Sequence, residues 1–444
     1  MCSASVPPQS VTVIGGGLAG SEAAWQLARR GHTVRLHEMR PVNSTPAHRT
    51  AWLAELVCSN SLGSDVPESP GGLLKEELRR MKSLVMEAAE ESAVPAGRAL
   101  AVDRELFARF VSERLAAHPL VTILREEVAT LPEEPAVIAT GPLTSPAFAA
   151  CLRESAGGFL AFYDAVAPVV TAESVDADTV YRASRWGQGE DYLNCPLDRE
   201  AYERFLSALL AAERAPRKDF EQDPRYFEGC LPVEVLAERG PDTLRYGPMR
   251  PVGLPDPRTG REPYAVVQLR QDNREGTLYN LVGFQTNLRW GEQERVFRLI
   301  PGLEKAEFVR LGVMHRNIYV NAPLALDSSL RLRGREALFL AGQLVGVEGY
   351  VESTAMGLVA AVNCAAFLAG SPFPHWPEET AIGALLHYLG SALPGNFQPM
   401  NCNLGIFPPL PKRIRGRTER CGAVATRARE AIALFLEKQG ALFP

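Results

Sequence analysis

The chain lacks an apolar run long enough to cross a membrane, which takes about 20 residues. The longest candidate, residues 356–370, is short, alanine-rich and interrupted by Asn363. The first residues, Met1-Cys-Ser-Ala-Ser-Val-Pro-Pro, offer neither a positively charged start nor an apolar stretch, so no signal peptide is expected. The eight cysteines, at positions 2, 58, 151, 195, 230, 364, 402 and 421, include no CxxC pair. That scatter argues against a disulfide framework and against a zinc site, and it suits a soluble protein of a reducing cytoplasm. A cationic excess is missing too. With a net charge of −5, the chain as a whole is no cationic nucleic-acid binder, and any RNA contact has to come from a local basic patch. Internal repeats and low-complexity tracts are absent.

What is present is the texture of a loop-rich α/β enzyme: 444 residues, 46% of them hydrophobic, with 37 glycines and 34 prolines. That length suggests two or three domains. Residues 10–14 and 33–38 read as strands and residues 18–30 between them as a helix, a βαβ unit at the start. Residues 73–91, rich in Leu, Met, Glu and Lys, predict one long amphipathic helix. Residues 103–117 predict another, opened by Asp103 as N-cap. Residues 121–124 and 136–138 read as strands. From about 156 to 310 the texture changes to short strand-like runs (166–170, 265–269, 279–284) between Pro- and Gly-rich turns. The α/β signature then resumes with a strand at 337–341 and a helix at 351–368. The expected division is therefore a nucleotide-binding domain in two parts, 1–155 and 311–444, around an inserted α+β domain at 156–310.

The strongest local signal is Val11-Thr-Val-Ile-Gly15-Gly16-Gly17-Leu18-Ala19-Gly20. Gly15 suits the tight strand-to-helix turn, Gly17 a close backbone approach to a pyrophosphate, and Gly20 close packing of helix on strand. The helix N-terminus then aims partial positive charge at the diphosphate. Glu38, at the end of the second strand, stands where a carboxylate accepts hydrogen bonds from a ribose and repels a 2′-phosphate. FAD rather than NAD follows from the returning element: Ala139-Thr-Gly141 ends a strand, and Leu338-Phe-Leu-Ala-Gly342, followed by Gln343, is a second apolar strand ending in Gly before a helix. A second GxGxxG in a strand–helix context is missing. A nicotinamide reductant is therefore expected to visit the flavin face without a Rossmann domain of its own.

Several longer motifs are more specific. Glu55-Leu-Val-Cys58-Ser-Asn-Ser-Leu-Gly63, Phe227-Glu-Gly-Cys230-Leu-Pro-Val-Glu234, Leu244-Arg-Tyr-Gly-Pro-Met-Arg-Pro-Val-Gly253 and Gly312-Val-Met-His315-Arg-Asn resemble the folate- and FAD-dependent tRNA (uracil-5-)-methyltransferases. Tyr264 to Asn273, Val282 to Gln293 and Asn396 to Asn401 extend the match, which is weakest over 156–190. The resemblance implies a glutathione-reductase-type, Rossmann-like FAD domain. It also implies methylation of uracil C5 at position 54 of the tRNA T-loop, with carbon from methylenetetrahydrofolate and reducing equivalents from NADPH or NADH through FAD. Uracil C5 becomes nucleophilic once a thiolate adds at C6. It then attacks a methylene carrier, a base removes the C5 proton, and hydride from reduced flavin completes the methyl group.

The family's two functional cysteines align with Cys58 and Cys230. Taken alone, either reads more readily as a packed residue than as a catalyst. The resemblance leaves open which of the two attacks uracil and which serves as base or flavin-side helper; Cys230 is the expected nucleophile. His315, otherwise an ordinary scaffold histidine, is expected by resemblance to stack on the folate pterin. Residues 412–429 hold Lys412, Arg413, Arg415, Arg417, Arg420, Arg427 and Arg429 against Glu419 alone. They read either as a solvated helix face or as a tRNA phosphate track. Two rivals remain: the related FAD protein that modifies the wobble uridine, suggested by Leu340-Ala-Gly-Gln343 and Gly349-Tyr-Val-Glu352, and an RNA-binding flavoprotein with purely structural FAD.

Overall fold

The computed structural model describes residues 10–45, 47–216, 231–412 and 414–443, with the side chains of Arg417 and Ala441 outside that description. The expected βαβ start is there: strand Ser10–Ile14, helix Leu18–Arg29 and strand Thr33–His37. They belong to a five-stranded parallel sheet ordered Leu338–Leu340, Ala136–Ile138, Ser10–Ile14, Thr33–His37, Val121–Leu124. The late strand therefore pairs with Ala136–Ile138, beside the first strand, as a returning element requires. The helix that follows it, Tyr350–Leu368, packs on Leu18–Arg29 in the main core. Against the expectation that no apolar run is long enough to cross a membrane, that helix would suffice by length and composition, and 78% of the stretch is buried inside the protein. Its apolar surface is core surface.

A second, six-stranded antiparallel sheet is ordered Tyr181–Arg182, Tyr192–Leu197, Ala265–Gln271, Leu278–Leu281, Val169–Thr171, Phe308–Arg310. It surrounds its own core of Phe205, Phe284, Phe297 and neighbouring aliphatics. The antiparallel pair Leu160–Ala165 and Met314–Tyr319 carries the chain out of the nucleotide-binding part and back. A small three-stranded sheet contains Ser61–Ser64, the strand that leaves the Cys58 loop.

Two further sequence expectations need correction. Residues 73–91 form two helices, Pro70–Arg80 and Leu84–Glu91. Lys82 turns into the left-handed region at φ +56°. Ser83 then caps the second helix by accepting from the Met86 amide while its hydroxyl donates to buried Glu22. The amphipathic period runs through this break, so periodicity alone conceals it. Residues 166–170 are likewise not one strand: Leu160–Ala165 and Val169–Thr171 serve different sheets. Pro168 has no N–H for a ladder, while its carbonyl accepts from the Leu281 amide at 3.0 Å.

Candidate functional site

The glycine turn shapes a groove at the carboxyl end of the parallel sheet. Gly15 has φ +101°, and a Cβ there would lie 2.4 Å from the Ala139 carbonyl oxygen. At Gly20 a Cβ would lie 1.7 Å from the Gly15 carbonyl oxygen, so helix and strand approach more closely than any side chain permits. Gly17, by contrast, faces open space. It is the N-cap of Leu18–Arg29, with no side-chain cap and no acid in the first turn. Backbone amides and the helix dipole thus face the groove with no capping side chain and no acid in the first turn, which fits a diphosphate. The walls are Thr140, Gly141, Gly342, Gln343 and Tyr350.

Glu38 lines the same groove, and its carboxylate already holds four donors. The Gly16 amide reaches Oε2 at 2.9 Å; from Arg40, the backbone amide and Nε reach Oε1 at 2.9 Å each and Nη2 reaches Oε2 at 3.2 Å. Burial alone would raise its pKa, but the bonds and charge of Arg40 hold it below the usual carboxylate range. Arg40, only 2% exposed on its side chain, also pairs with Glu55 at 3.0 Å. A ribose hydroxyl would therefore share an ionised, fully organised carboxylate. Sequence reading missed Arg40. Its one local hint is its place two residues after Glu38.

Beyond Met39, Thr45 and Leu143 the groove opens into a cleft of about 1570 Å³ walled by His315, Tyr163, Asn287 and Trp290. His315 lies on Met314–Tyr319, opposite Asp164. Its Nε2 is buried and has no hydrogen-bond partner among the described residues, and burial lowers its pKa to about 4. The ring is neutral at physiological pH. His48, on the groove side, is likewise pushed down to about 4, first by burial and then by Arg40, with His315 contributing. Two neutral imidazoles thus flank the junction of groove and cleft; the sequence named one.

Cys58 is tied to the groove wall. Its backbone amide and that of Ser59 both donate to the Tyr350 hydroxyl, at 2.7 and 3.2 Å. The Cys58 loop is therefore bolted to a residue of the groove wall. Its thiol donates to the Ala165 carbonyl at 3.5 Å. Burial pushes that thiol well above its ordinary pKa, and Asp164 pushes further, against partial relief from Arg104 and Arg270. The polar residues of the loop serve the scaffold. Asn60 donates to the carbonyls of Val102 and Gln271, and Arg270 clamps Asn60 Oδ1 at 2.9 Å and Ser59 Oγ at 3.2 Å.

Cys230 and Arg413 lie outside the described residues. On the near side of Cys230, Pro216 lines the broad cleft; on the far side, the Val233 amide donates to the Gln285 carbonyl at 2.7 Å. Lys412 and Arg415 are exposed, ahead of the helix Arg417–Lys438. Two members of the basic run belong to the fold instead. Arg427 donates to the carbonyls of Pro408 and Pro409, and Arg429 pairs with Glu76 at 2.8 Å. Charge counting cannot separate a cation that packs inward from one that faces solvent.

The family model described as glucose inhibited division protein A matches residues 10–372. The methylenetetrahydrofolate–tRNA-(uracil-5-)-methyltransferase TrmFO of Desulforudis audaxviator is 62% identical over 434 residues, 97% of this chain and 99% of that protein. The protein of the same name from Moorella thermoacetica is 62% identical over 423 residues, 95% and 97% of the two chains. Among solved structures, form II crystals of Aquifex aeolicus GidA superpose with a TM-score of 0.71 at 15% identity, covering 100% of this chain and 75% of that one. At that identity the likeness speaks for the fold.

Proposed function

The chain belongs to the TrmFO family of methylenetetrahydrofolate–tRNA-(uracil-5-)-methyltransferases, and we propose that it forms 5-methyluridine at position 54 of the tRNA T-loop. The observation that carries this reading is the convergence of three features. The glycine-turn groove opens into the broad cleft that holds His315, and the Cys58 loop is tied by two amide hydrogen bonds to Tyr350 of the groove wall. FAD fits the groove: Gly17 leaves space for the diphosphate, the uncapped helix faces it, and Glu38 is held ionised for the ribose. When bound, FAD accepts reducing equivalents from NADPH or NADH and delivers them to the one-carbon unit.

The remaining roles fall to the chain itself. Cys230 is the nucleophile toward uracil C6 by its family motif. Cys58, enclosed beside Asp164, is kept as a neutral thiol at rest and suits proton handling rather than attack, since a resting nucleophile is ordinarily a thiolate of lowered pKa. Its conjugate base, once formed, is correspondingly strong and takes the C5 proton. Lys412 and Arg415 offer exposed charge for tRNA phosphates, in line with Arg413 and Arg417 in the sequence. The test supplies labelled methylenetetrahydrofolate, reductant and unmodified tRNA to the FAD-loaded protein. Label should appear in the C5 methyl of uridine 54; label at the wobble position, or none in tRNA, would reject the reading.

A neutral His315 ring suits face-to-face contact with a pterin, whereas a charged one would carry a desolvation cost. His315→Ala should raise the folate KM about tenfold, near the upper range for an aromatic pair, with FAD retained, and His315→Phe should recover most of it. Because the ring's pKa lies near 4, its contribution should stay flat with pH across the neutral range. Unchanged folate kinetics in His315→Ala would refute the contact.

A further inference from the structure

Beside Gly63 and Ser64, on the strand that leaves the Cys58 loop, lies a second cleft, of about 610 Å³, that the proposed chemistry does not use. Its most prominent wall residue is Trp186, 62% exposed and held at φ +64°, ψ +29°. A bulky residue rarely adopts that backbone conformation, and surrounding structure has to enforce it. Here the enforcement is visible. The Trp186 amide donates to the Gly253 carbonyl at 2.9 Å. Arg185 next to it is anchored by the carbonyls of Val252 and Arg250, at 2.7 and 2.8 Å. One face of the indole rests on Gly253, where a Cβ would come within 2.9 Å of the ring. The ring is thus a fixed plate, seated on one side and largely exposed overall.

The surroundings say what it suits. Arg98 and Arg185 line the cleft against a single carboxylate among the described residues, Glu68, with exposed Gln188 supplying an amide group, while the Gln268 amide donates to Asn194 Oδ1. Thr418, in the first turn of Arg417–Lys438, closes one side, so the basic run that holds exposed Lys412 and Arg415 leads toward it. The cleft also shares a wall with the site. Tyr192, which lines it, is the cross-strand partner of Arg270, and Arg270 clamps Ser59 and Asn60 beside Cys58. Gln268 lies two residues from Arg270 on the same strand and face, a spacing of about 7 Å. A rigid aromatic plate, flanking cations and an exposed amide able to meet a base edge form a platform for single-stranded nucleic acid.

We propose that Trp186 stacks on an unpaired base of the tRNA other than the uridine that is methylated. This rests on the chain acting on tRNA, and the test separates the two. Full-length, FAD-loaded Trp186→Ala and Trp186→Phe are compared with wild type for binding and methylation of an unmodified tRNA transcript. Trp186→Ala should raise the tRNA Kd and KM about tenfold, within the range of one base–aromatic stack. The loss should fall on KM rather than kcat, and Trp186→Phe should recover most of it. An unchanged KM in Trp186→Ala, in an enzyme that methylates tRNA, overturns the platform alone. Equal losses in both variants with a lowered Tm mark a structural residue and overturn it too. Weaker tRNA binding by Trp186→Ala, in a wild type that transfers no label to tRNA, supports the platform and rejects the proposed function.

Discussion

Cys58→Ala should retain FAD and still oxidise NADPH or NADH, yet methylate tRNA about 10²- to 10⁴-fold more slowly, the range of a positioned acid–base group. Two features of the site set this expectation. The loop is held by two amide hydrogen bonds to Tyr350, and these come from backbone, so removing the sulfur leaves the tether intact. The thiol is enclosed and raised in pKa by burial and Asp164, which favours the protonated form at neutral pH. The sign of the pH dependence follows: where Cys58 has to lose its proton before taking the one from C5, methylation by the wild type climbs as pH rises above neutrality. Cys58→Ala should lose that alkaline limb. A variant with wild-type rates, or with the limb intact, would remove Cys58 from the chemistry. The same measurement on Cys230→Ser separates the two cysteines: the nucleophile's loss should abolish any covalent enzyme–RNA adduct, whereas Cys58→Ala should still form one.

Gly20→Ala should yield protein that is folded but largely without flavin. The added methyl would stand 1.7 Å from the Gly15 carbonyl oxygen, and a backbone atom cannot step aside as the end of a side chain can. Relief requires the first helix to move off the strand, taking with it the amides that face the groove. Overpacking of this kind costs about 1–3 kcal/mol, equivalent to about 5- to 150-fold in affinity, and it falls directly on the diphosphate site. Flavin absorbance per protein after purification and titration with added FAD would read the loss, and far-ultraviolet circular dichroism would report the fold. Stoichiometric, tight FAD in Gly20→Ala would mean that close helix–strand approach is not what holds the cofactor. Gly17→Ala is the control, because a Cβ there meets nothing in the protein and any loss must come from the ligand itself.

The two halves of this molecule were legible to different degrees. Strands 10–14, 121–124 and 136–138 coincide with the observed ones because each is a short apolar run bounded by turn residues, a signal complete within a few positions. The Asp103 cap was readable for the same reason: its carboxylate accepts from the amides of Glu105 and Leu106, its immediate neighbours. The break at Lys82 and the change of sheet at Pro168 were not, since apolar spacing continues through both. Family motifs carried Cys58 and His315 into view as candidates, but nothing around them in the chain announces their ionisation states.

By itself the amino-acid order determined the glycine-turn βαβ unit, the return of a late strand to it and the family to which the chain belongs. Each of those is written in neighbouring residues or in motifs that survive as strings. Only the tertiary structure decided that Arg40 locks Glu38 and Glu55 together, that Asp164 presses on the Cys58 thiol, that Arg427 and Arg429 are spent on the fold, and that Trp186 is displayed on Gly253. Desolvation and Coulomb interactions depend on which distant segments fold against a group, and that information exists only once two sheets and the helices between them have closed around it.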